Sequence, residues 1–368
     1  MFDLDMPTRI ISGKDCVKKN PSLLAVGKKA IIVCGRSGAK KSGALDDVCT
    51  VLSSAGAKYT VFDKISENPP LLTCFEGGEL ARVEGCDFVI GIGGGSALDG
   101  AKAIASFATN EGISPEEIFK VSSLKKGLPI IAIPTTAGTG SEANPYSVLS
   151  LPDGERKQTF NTRCSYPVCS FLDPTYTMSL PEGYTVSTAL DAFHHALESL
   201  LSPKTTDFSE MMALYAAKNI WDVLTEYPES YSYEQREKLL YASCAAGIAI
   251  SVTGTGFPHP LGYSLTMLDG IPHGRACAVF AADYIDYNSK TEKGAERLAL
   301  LYDTLSVKPK VLKEYLTALA SVDLSFTKEE IVRRVDLICG AKNYVNSPYV
   351  LTYDEMIAIY ERLFLKKK

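Results

Sequence analysis

The sequence predicts an α/β domain over residues 1–180, followed by an all-helical domain over residues 181–368. Three observations support this division. The length of 368 residues suits about two domains. In the first half, short runs rich in β-branched residues alternate with helix-like stretches, whereas beyond Pro181 apolar residues recur with a helical period. Alternating strands and helices are typical of a parallel sheet covered by helices.

The strands of the first half are predicted from short apolar runs that end in glycine, proline or polar residues. The run at 87–92 is apolar on both faces, as a central parallel strand requires. The turn-rich stretch 66–70 separates a strand from a helix that extends to about Arg82. The predicted strands are residues 9–12, 29–34, 58–62, 87–92 and 128–133; the clearest later helices are 188–198, 208–221, 233–250 and 352–364.

A glycine-rich loop follows the strand at 87–92. Gly93, Gly94 and Gly95 let a backbone come close to a ligand, and Ser96 opens an alanine-rich helix whose free N–H groups suit a phosphate. If the loop is only a tight turn between strand and helix, Ser96 would be the N-cap of the helix and Asp99 would complete a capping pattern. The loop is not the G-x-G-x-x-G dinucleotide fingerprint, because Ser96 occupies the last glycine position.

A second polar loop, 134–142, follows the strand at 128–133. It holds four hydroxyls and two glycines in nine residues, at the end of a strand where α/β sheets bind ligands. Alone it could be a solvated turn, but the two loops together predict one cofactor that contacts both. Its hydroxyl residues are Thr135, Thr136, Thr139 and Ser141. Lys157 lies beyond a predicted hairpin turn at 151–154 and by itself would be read as a surface lysine.

Two of the four histidines lie in the helix predicted at 188–198. Asp191 and His195 are four residues apart and therefore share a helix face. His259 and His273 lie next to prolines, which hold a side chain in place at low entropic cost. One oxygen and three nitrogens suit an iron or zinc ion. His194, three residues after Asp191, is the rival ligand.

Composition limits the partners. The net charge of -5 and a pI near 5.6 give no overall basic surface for nucleic acid. No apolar run reaches the roughly 18 residues that a membrane span needs, and the first residues do not resemble a signal peptide. We therefore expect no nucleic-acid or membrane partner and a cytoplasmic protein. The ten cysteines form no Cys-x-x-Cys pair and are expected to be reduced; Cys277, four residues past His273, is expected near the metal.

In these segments the chain resembles the iron-containing (group III) alcohol dehydrogenase family nearly end to end, and within it the NADPH-dependent butanol dehydrogenase branch. The resemblance lies in residues 93–102, 134–142, 173–177, 180–181, 191–198 and 272–274, with 35–37, 40–47, 254–259 and 262–263 pointing to the branch. It implies a dinucleotide-binding N-terminal domain, a metal-binding helical C-terminal domain as in dehydroquinate synthase-like folds, and a homo-oligomer, a dimer.

The resemblance also implies residue roles. Asp191, His195, His259 and His273 would hold Fe(II), with Zn(II) as the alternative, and His194 would not be a ligand. Asp99 and Lys157 would approach the nicotinamide. The remaining cofactor-binding residues that the resemblance implies are Gly35, Arg36, Ser37, Gly93, Gly94, Gly95, Ser96, Thr135, Thr136, Thr139 and Ser141.

Two departures from the family pattern matter. Where many members carry a histidine in a proton relay, this chain has Tyr263, a phenol with an ordinary pKa near 10. Where NAD-preferring members have an acidic residue, it has Gly35 followed by Arg36. Loss of a carboxylate and gain of a cation predict NADP(H) over NAD(H). Asp99 and Tyr263 are the candidate catalytic residues.

The expected activity is hydride transfer between NADP(H) and a small primary alcohol/aldehyde pair. One alternative is a zinc-dependent, glycerol-type polyol dehydrogenase that uses NAD. A dehydroquinate-synthase-like lyase is a remote alternative, because Arg275 is the only base near the ligand segments. Another is a cofactor-binding protein that has lost catalysis through Tyr263.

Overall fold

The computed structural model describes residues 4–124, 126–226 and 230–366. They form two compact units. The first unit comprises the described residues up to Asp153, Lys157–Thr185 and a later segment that ends at Gly247. The second unit comprises Gly154–Arg156, a segment that begins at Val186, and the described residues from Ile248 onward. The domain boundary between residues 180 and 181 stays a prediction.

The first unit contains a six-stranded sheet in the order β1-β8-β5-β4-β2-β3, in which every neighbouring pair is parallel. A second, antiparallel pair, β6-β7, forms the hairpin predicted around residues 151–154. The strands are β1 (Arg9–Ser12), β2 (Lys29–Cys34), β3 (Lys58–Phe62), β4 (Phe88–Gly93), β5 (Ile130–Pro134), β6 (Ser147–Ser150), β7 (Lys157–Phe160) and β8 (Cys169–Leu172).

Helices cover both faces of this sheet. Side chains of β2 alternate between two apolar clusters: Ala30 and Ile32 face the helices that flank β2 in sequence, whereas Ile31 and Val33 face the two long helices that follow β3 and β4. Each fully buried isoleucine or valine contributes about 1.5–3 kcal/mol. The helices are α1 (Cys16–Lys19), α2 (Pro21–Leu24), α3 (Gly38–Lys41), α4 (Ala44–Ser54), α5 (Leu71–Val83) and α6 (Gly95–Thr109).

From Glu182 onward the described chain is helical, apart from an isolated β-bridge between Phe326 and Leu365. The helices are α7 (Glu182–Leu201), α8 (Asp207–Glu226), α9 (Tyr233–Thr253), α10 (Pro258–Asp269), α11 (His273–Ala278), α12 (Ala281–Asn288), α13 (Glu292–Leu305), α14 (Pro309–Ala320), α15 (Lys328–Ile338) and α16 (Tyr353–Phe364). Short 3₁₀ helices lie at Pro115–Phe119, Val121–Ser123, Ser141–Ala143, Arg163–Ser165, Pro174–Thr177 and Lys342–Asn346. The predicted fold class, α/β followed by all-α, is confirmed.

One local prediction was wrong. The N-cap of α6 is Gly94, not Ser96, and no side chain caps the helix. The Ser96 hydroxyl instead accepts a hydrogen bond from the Asn68 N–H at 3.1 Å. Asp99 binds groups from other segments rather than the start of α6. Backbone groups at this helix start therefore stay available to a ligand.

Among the described residues, no single helix has both the length and the apolar composition to cross a membrane. Of the helices in the described residues, only α9 and α10 taken together reach the required length and composition, and this pair is bent by 115°.

Close packing of α5 on α6 predicts that Gly78→Ala destabilises the protein. An added Cβ would lie 2.3 Å from Phe107 Cβ, and overpacking of this kind costs about 1–3 kcal/mol. Urea unfolding followed by circular dichroism should show a lower midpoint. The matched control is Gly183→Ala in the exposed first turn of α7, where an added Cβ meets nothing within 4 Å and helix propensity favours alanine by up to about 1 kcal/mol. Equal midpoints for the two variants would contradict the packing argument.

Candidate functional site

One face of α7 carries three polar side chains that point into the second unit. Asp191, His195 and Glu198 follow one another at intervals of four and three residues, so they lie on one stripe of the helix. All three are buried, with 3%, 6% and 0% of their surface exposed. Burial of ionisable groups is costly unless they are paired or bind a metal.

Two glycines bring the other ligand-bearing helices against this face. A Cβ at Gly274 would lie 1.8 Å from the Ser187 carbonyl oxygen, so the start of α11 touches the backbone of α7. A Cβ at Gly262 would lie 2.9 Å from the Ala276 carbonyl oxygen, so α10 touches α11 in the same way. Only glycine permits these contacts, and they bring together the helices that carry His259 and His273.

Three imidazole nitrogens surround one carboxylate oxygen. The distance from Asp191 Oδ1 to Nε2 is 3.6 Å for His195, 3.6 Å for His259 and 3.9 Å for His273. The rings of His195 and His259 are stacked, with centroids 4.8 Å apart. The structure thus brings the four predicted metal ligands together.

This donor set fits a metal ion. Asp191 Oδ1 and His259 Nε2 are buried and have no hydrogen-bond partner among the described residues. Metal–nitrogen and metal–oxygen bonds of about 2.0–2.2 Å require two donors to one ion to lie within about 4.3 Å of each other, and the three distances to Asp191 Oδ1 satisfy that limit. A cation bound here would supply the missing partner for both buried atoms.

Glu198 holds His259 from the side opposite Asp191. Its carboxylate accepts hydrogen bonds from His259 Nδ1 at 2.8 Å and from the Gly256 N–H at 2.6 Å. Since a carboxylate can only accept, the Nδ1 of His259 carries a proton, and Nε2 is the nitrogen left to bind a metal once it has lost its own proton. Burial disfavours a charged ring, but the carboxylates of Glu198 and Asp191 outweigh it and raise the pKa of His259 to about 10. Such surroundings favour positive charge, and hence a cation.

The neighbouring residues have distinct places. His194 Nδ1 bonds to the Leu190 carbonyl of its own helix at 2.8 Å, outside the group around Asp191. The ring of Tyr263 lies beside that of His273, with centroids 6.0 Å apart. Burial, together with nearby Cys277 and the carboxylates, raises the pKa of Tyr263, so its hydroxyl stays protonated at neutral pH. Cys277 Sγ lies 3.8 Å from His273 Nε2.

In the first unit, the carboxyl ends of β4 and β5 bring the two predicted loops into contact. Thr135 N–H donates to the Gly93 carbonyl at 2.9 Å. A Cβ at Gly94 would lie 3.2 Å from Thr136 Oγ1, and one at Gly95 would lie 2.4 Å from Thr139 Cγ2. Gly93 has φ +148°, which disfavours a side chain. The loops therefore form one backbone-lined edge at the start of α6.

Gly35, Arg36 and Ser37 follow β2, which pairs with β4, so they lie at the same sheet edge. Arg36 and Ser37 are exposed. A Cβ at Gly35 would lie 3.1 Å from the Ile65 carbonyl oxygen, a tight contact. The edge thus presents the exposed guanidinium group of Arg36 next to Gly35, where a side chain is disfavoured.

Asp99 belongs to a buried polar network. It accepts hydrogen bonds from Ser141 Oγ at 2.6 Å and from the Val148 N–H at 2.9 Å. Burial raises its pKa, against the opposing effects of Lys102, Ser141, Val148 and Lys157. Lys157 therefore lies near enough to Asp99 to act on its pKa, although the two residues are far apart in sequence.

Sequence reasoning gave no role to Lys102, Glu142 or Glu198. Lys102 is 1% exposed, donates to Ser141 Oγ and the Tyr146 carbonyl, and has its pKa lowered by burial to about 8. Burial raises the pKa of Glu142 to about 7. The helical spacing of Glu198 from Asp191 could have indicated that it belongs to the same face. Nothing in the sequence indicates that Lys102, in an alanine-rich helix, is buried.

Models of known families match both halves of the chain. One, described as iron-containing alcohol dehydrogenase, matches residues 7–174. A second, described as the C-terminal part of the Fe-containing alcohol dehydrogenase family, matches residues 185–364.

Individual proteins agree with these matches. The chain is 28% identical to an NADPH-dependent butanol dehydrogenase of Clostridium saccharobutylicum, over 99% of this chain and 98% of that one. It is 29% identical to an NAD-dependent methanol dehydrogenase of Bacillus methanolicus, over 83% and 81%. An iron-containing alcohol dehydrogenase structure from Thermotoga maritima superposes with a TM-score of 0.92 at 34% identity, covering 99% of each chain.

The hydrogen bond from His259 to Glu198 predicts that Glu198→Gln weakens metal binding. An amide in place of the carboxylate removes the negative charge that fixes the His259 tautomer, and loss of such a partner typically costs about 10–100-fold in metal affinity. Chelator competition on the metal-loaded protein measures the change. Glu182→Gln, exposed at the start of the same helix, is the control and should leave affinity unchanged; a Glu198→Gln variant with wild-type affinity would remove Glu198 from this role.

Proposed function

Because this chain belongs to the iron-containing alcohol dehydrogenase family, we propose that it interconverts a small primary alcohol and its aldehyde with NADP(H) as hydride carrier. The proposal assigns Asp191, His195, His259 and His273 to Fe(II), with Zn(II) as the alternative. It also assigns the loops at the ends of β2, β4 and β5 to the cofactor.

One observation carries the proposal: three imidazole nitrogens lie within 3.9 Å of one buried carboxylate oxygen that has no hydrogen-bond partner among the described residues. A purely structural cluster would be expected to satisfy that oxygen. Glu198 supports the same conclusion, since it holds His259 through Nδ1 and leaves Nε2 facing Asp191.

The chemistry that such an ion supplies when bound is Lewis-acid polarisation of the substrate oxygen. The protein's own residues provide the rest. Close packing at Gly274 and Gly262 keeps the ligand side chains in place before anything binds. Tyr263, protonated and beside His273, can donate a hydrogen bond but is too weak an acid to act as an imidazole-type relay at neutral pH.

On the cofactor side, Gly94, Gly95 and Ser96 would receive the pyrophosphate through backbone N–H groups at the start of α6, since the helix leaves its first N–H groups unpaired. Thr135, Thr136, Thr139 and Ser141 would line the cofactor. Asp99 and Lys157 would lie at its nicotinamide end, with Asp99 held in place by Ser141 and Val148.

Preference for NADP(H) rests on Arg36 and Gly35. Exposed Arg36 offers a charge-assisted contact to a 2′-phosphate. Gly35 has no carboxylate for a ribose 2′-hydroxyl, and the nearby Ile65 carbonyl leaves little room for one. The relatives include both NADPH- and NAD-dependent enzymes, so this preference is argued from these residues. We further propose that the protein is a homodimer.

The metal assignment predicts that His259→Ala and His273→Ala each lose bound metal and aldehyde-dependent NADPH oxidation. Protein purified without oxygen would be tested by metal analysis and by an aldehyde panel. His194→Asn is the matched control, because an asparagine amide can replace the Nδ1 contact to Leu190; it should keep metal and activity. Full activity in either alanine variant would exclude that histidine.

The cofactor assignment predicts NADPH over NADH and a specific effect of Arg36→Ala. Loss of one charge-assisted hydrogen bond, about 1.5–3 kcal/mol, should raise KM for NADPH by roughly tenfold or more, with KM for NADH nearly unchanged. Lys58→Ala, at the amino end of β3, is the control and should alter neither value. A wild-type kcat/KM tenfold higher with NADH would contradict the preference.

A further inference from the structure

A cysteine lies among the candidate metal ligands. Cys277 Sγ is 3.8 Å from Nε2 and 3.9 Å from Nδ1 of His273. One ligand atom each from Asp191, His259, His273 and Cys277 forms a group in which all members lie within 4.8 Å of one another. The sulfur is therefore close to the carboxylate and to the imidazoles at the same time.

The placement of this sulfur follows from helix α11. Cys277 comes four residues after His273, so both side chains lie on one face, one turn apart. This spacing is the same as that of Asp191 and His195 on α7. The contact of Gly274 with Ser187 holds that face against α7, and Cys277 is fully buried there.

Two other atoms of the group point independently to a bound cation. Asp191 Oδ1 and His259 Nε2 are buried and have no hydrogen-bond partner among the described residues, and their residues are 3% and 4% exposed. Buried polar atoms are normally satisfied. The thiol of Cys277 lies beside these atoms, in a position to coordinate the same ion.

We propose that Cys277 is an additional metal ligand and that its sulfur favours the Zn(II) alternative over Fe(II), so that the centre binds a thiophilic divalent ion such as Zn(II) or Co(II) through sulfur as well as nitrogen and oxygen. Thiolate ligands favour zinc, whereas a site of imidazole and carboxylate alone also suits iron. As the metal–sulfur bond forms, the thiol proton passes to solvent. The inference rests on the proposed metal role of Asp191, His259 and His273 and adds a ligand to it.

Spectroscopy on the full-length protein tests the ligand directly. The Co(II)-loaded protein should show a near-ultraviolet thiolate-to-cobalt charge-transfer band, and X-ray absorption of the Zn(II)-loaded protein should show a sulfur neighbour at about 2.3 Å. Both signals should be absent from Cys277→Ser and present in Cys339→Ser, an exposed cysteine of the same unit. Zinc affinity in chelator competition should fall about tenfold or more in Cys277→Ser only.

The outcomes separate the two proposals. Wild-type protein that binds one metal ion through nitrogen and oxygen alone would overturn the role of Cys277 and leave the proposed function intact. Wild-type protein that binds no metal would overturn both. Because the wild-type spectra by themselves decide between a sulfur ligand and none, the test stands even where Cys277→Ser folds poorly.

Discussion

The contact between α11 and α7 at Gly274 is the constraint on which the metal centre depends. With a carbonyl oxygen 1.8 Å from where a Cβ would be, no other residue fits without moving a helix. Gly262 makes the matching contact between α10 and α11. Because helix backbones rather than long side chains set the spacing, His259 and His273 reach Asp191 with little freedom to lose on binding.

Asp191 is the centre of this arrangement, and burying its carboxylate is unfavourable for folding. A buried carboxylate disfavours folding unless something compensates its charge. Burial alone would raise its pKa, but the three surrounding imidazoles lower the pKa of Asp191 instead. Glu198 places a second carboxylate behind His259. The cluster therefore concentrates negative charge where an apolar core would be more stable, as functional sites commonly do.

At the other candidate site, sheet order provides the geometry. β2, β4 and β5 are neighbours, so the loops that follow them meet at one edge, although they are separated by dozens of residues in sequence. The apolar run of β4 was sufficient to predict a strand buried on both faces. The sequence did not predict how α6 begins. A capping pattern would use the Ser96 hydroxyl, but that hydroxyl accepts a hydrogen bond from the Asn68 N–H instead. Competing long-range hydrogen bonds of this kind leave no local signal.

The sequence alone determined the fold class and the chemical types of the candidate metal ligands. Alternating and helical periods predicted the α/β and helical halves, the four-residue spacing put Asp191 and His195 on one face, and the family motifs named His259 and His273. The tertiary structure decided which atoms meet. Glu198 bonded to His259, Cys277 within 4.8 Å of the ligand atoms of Asp191 and His259, and Lys102 bonded to Ser141 all depend on contacts between segments distant in sequence. Such contacts arise only when helices and loops pack.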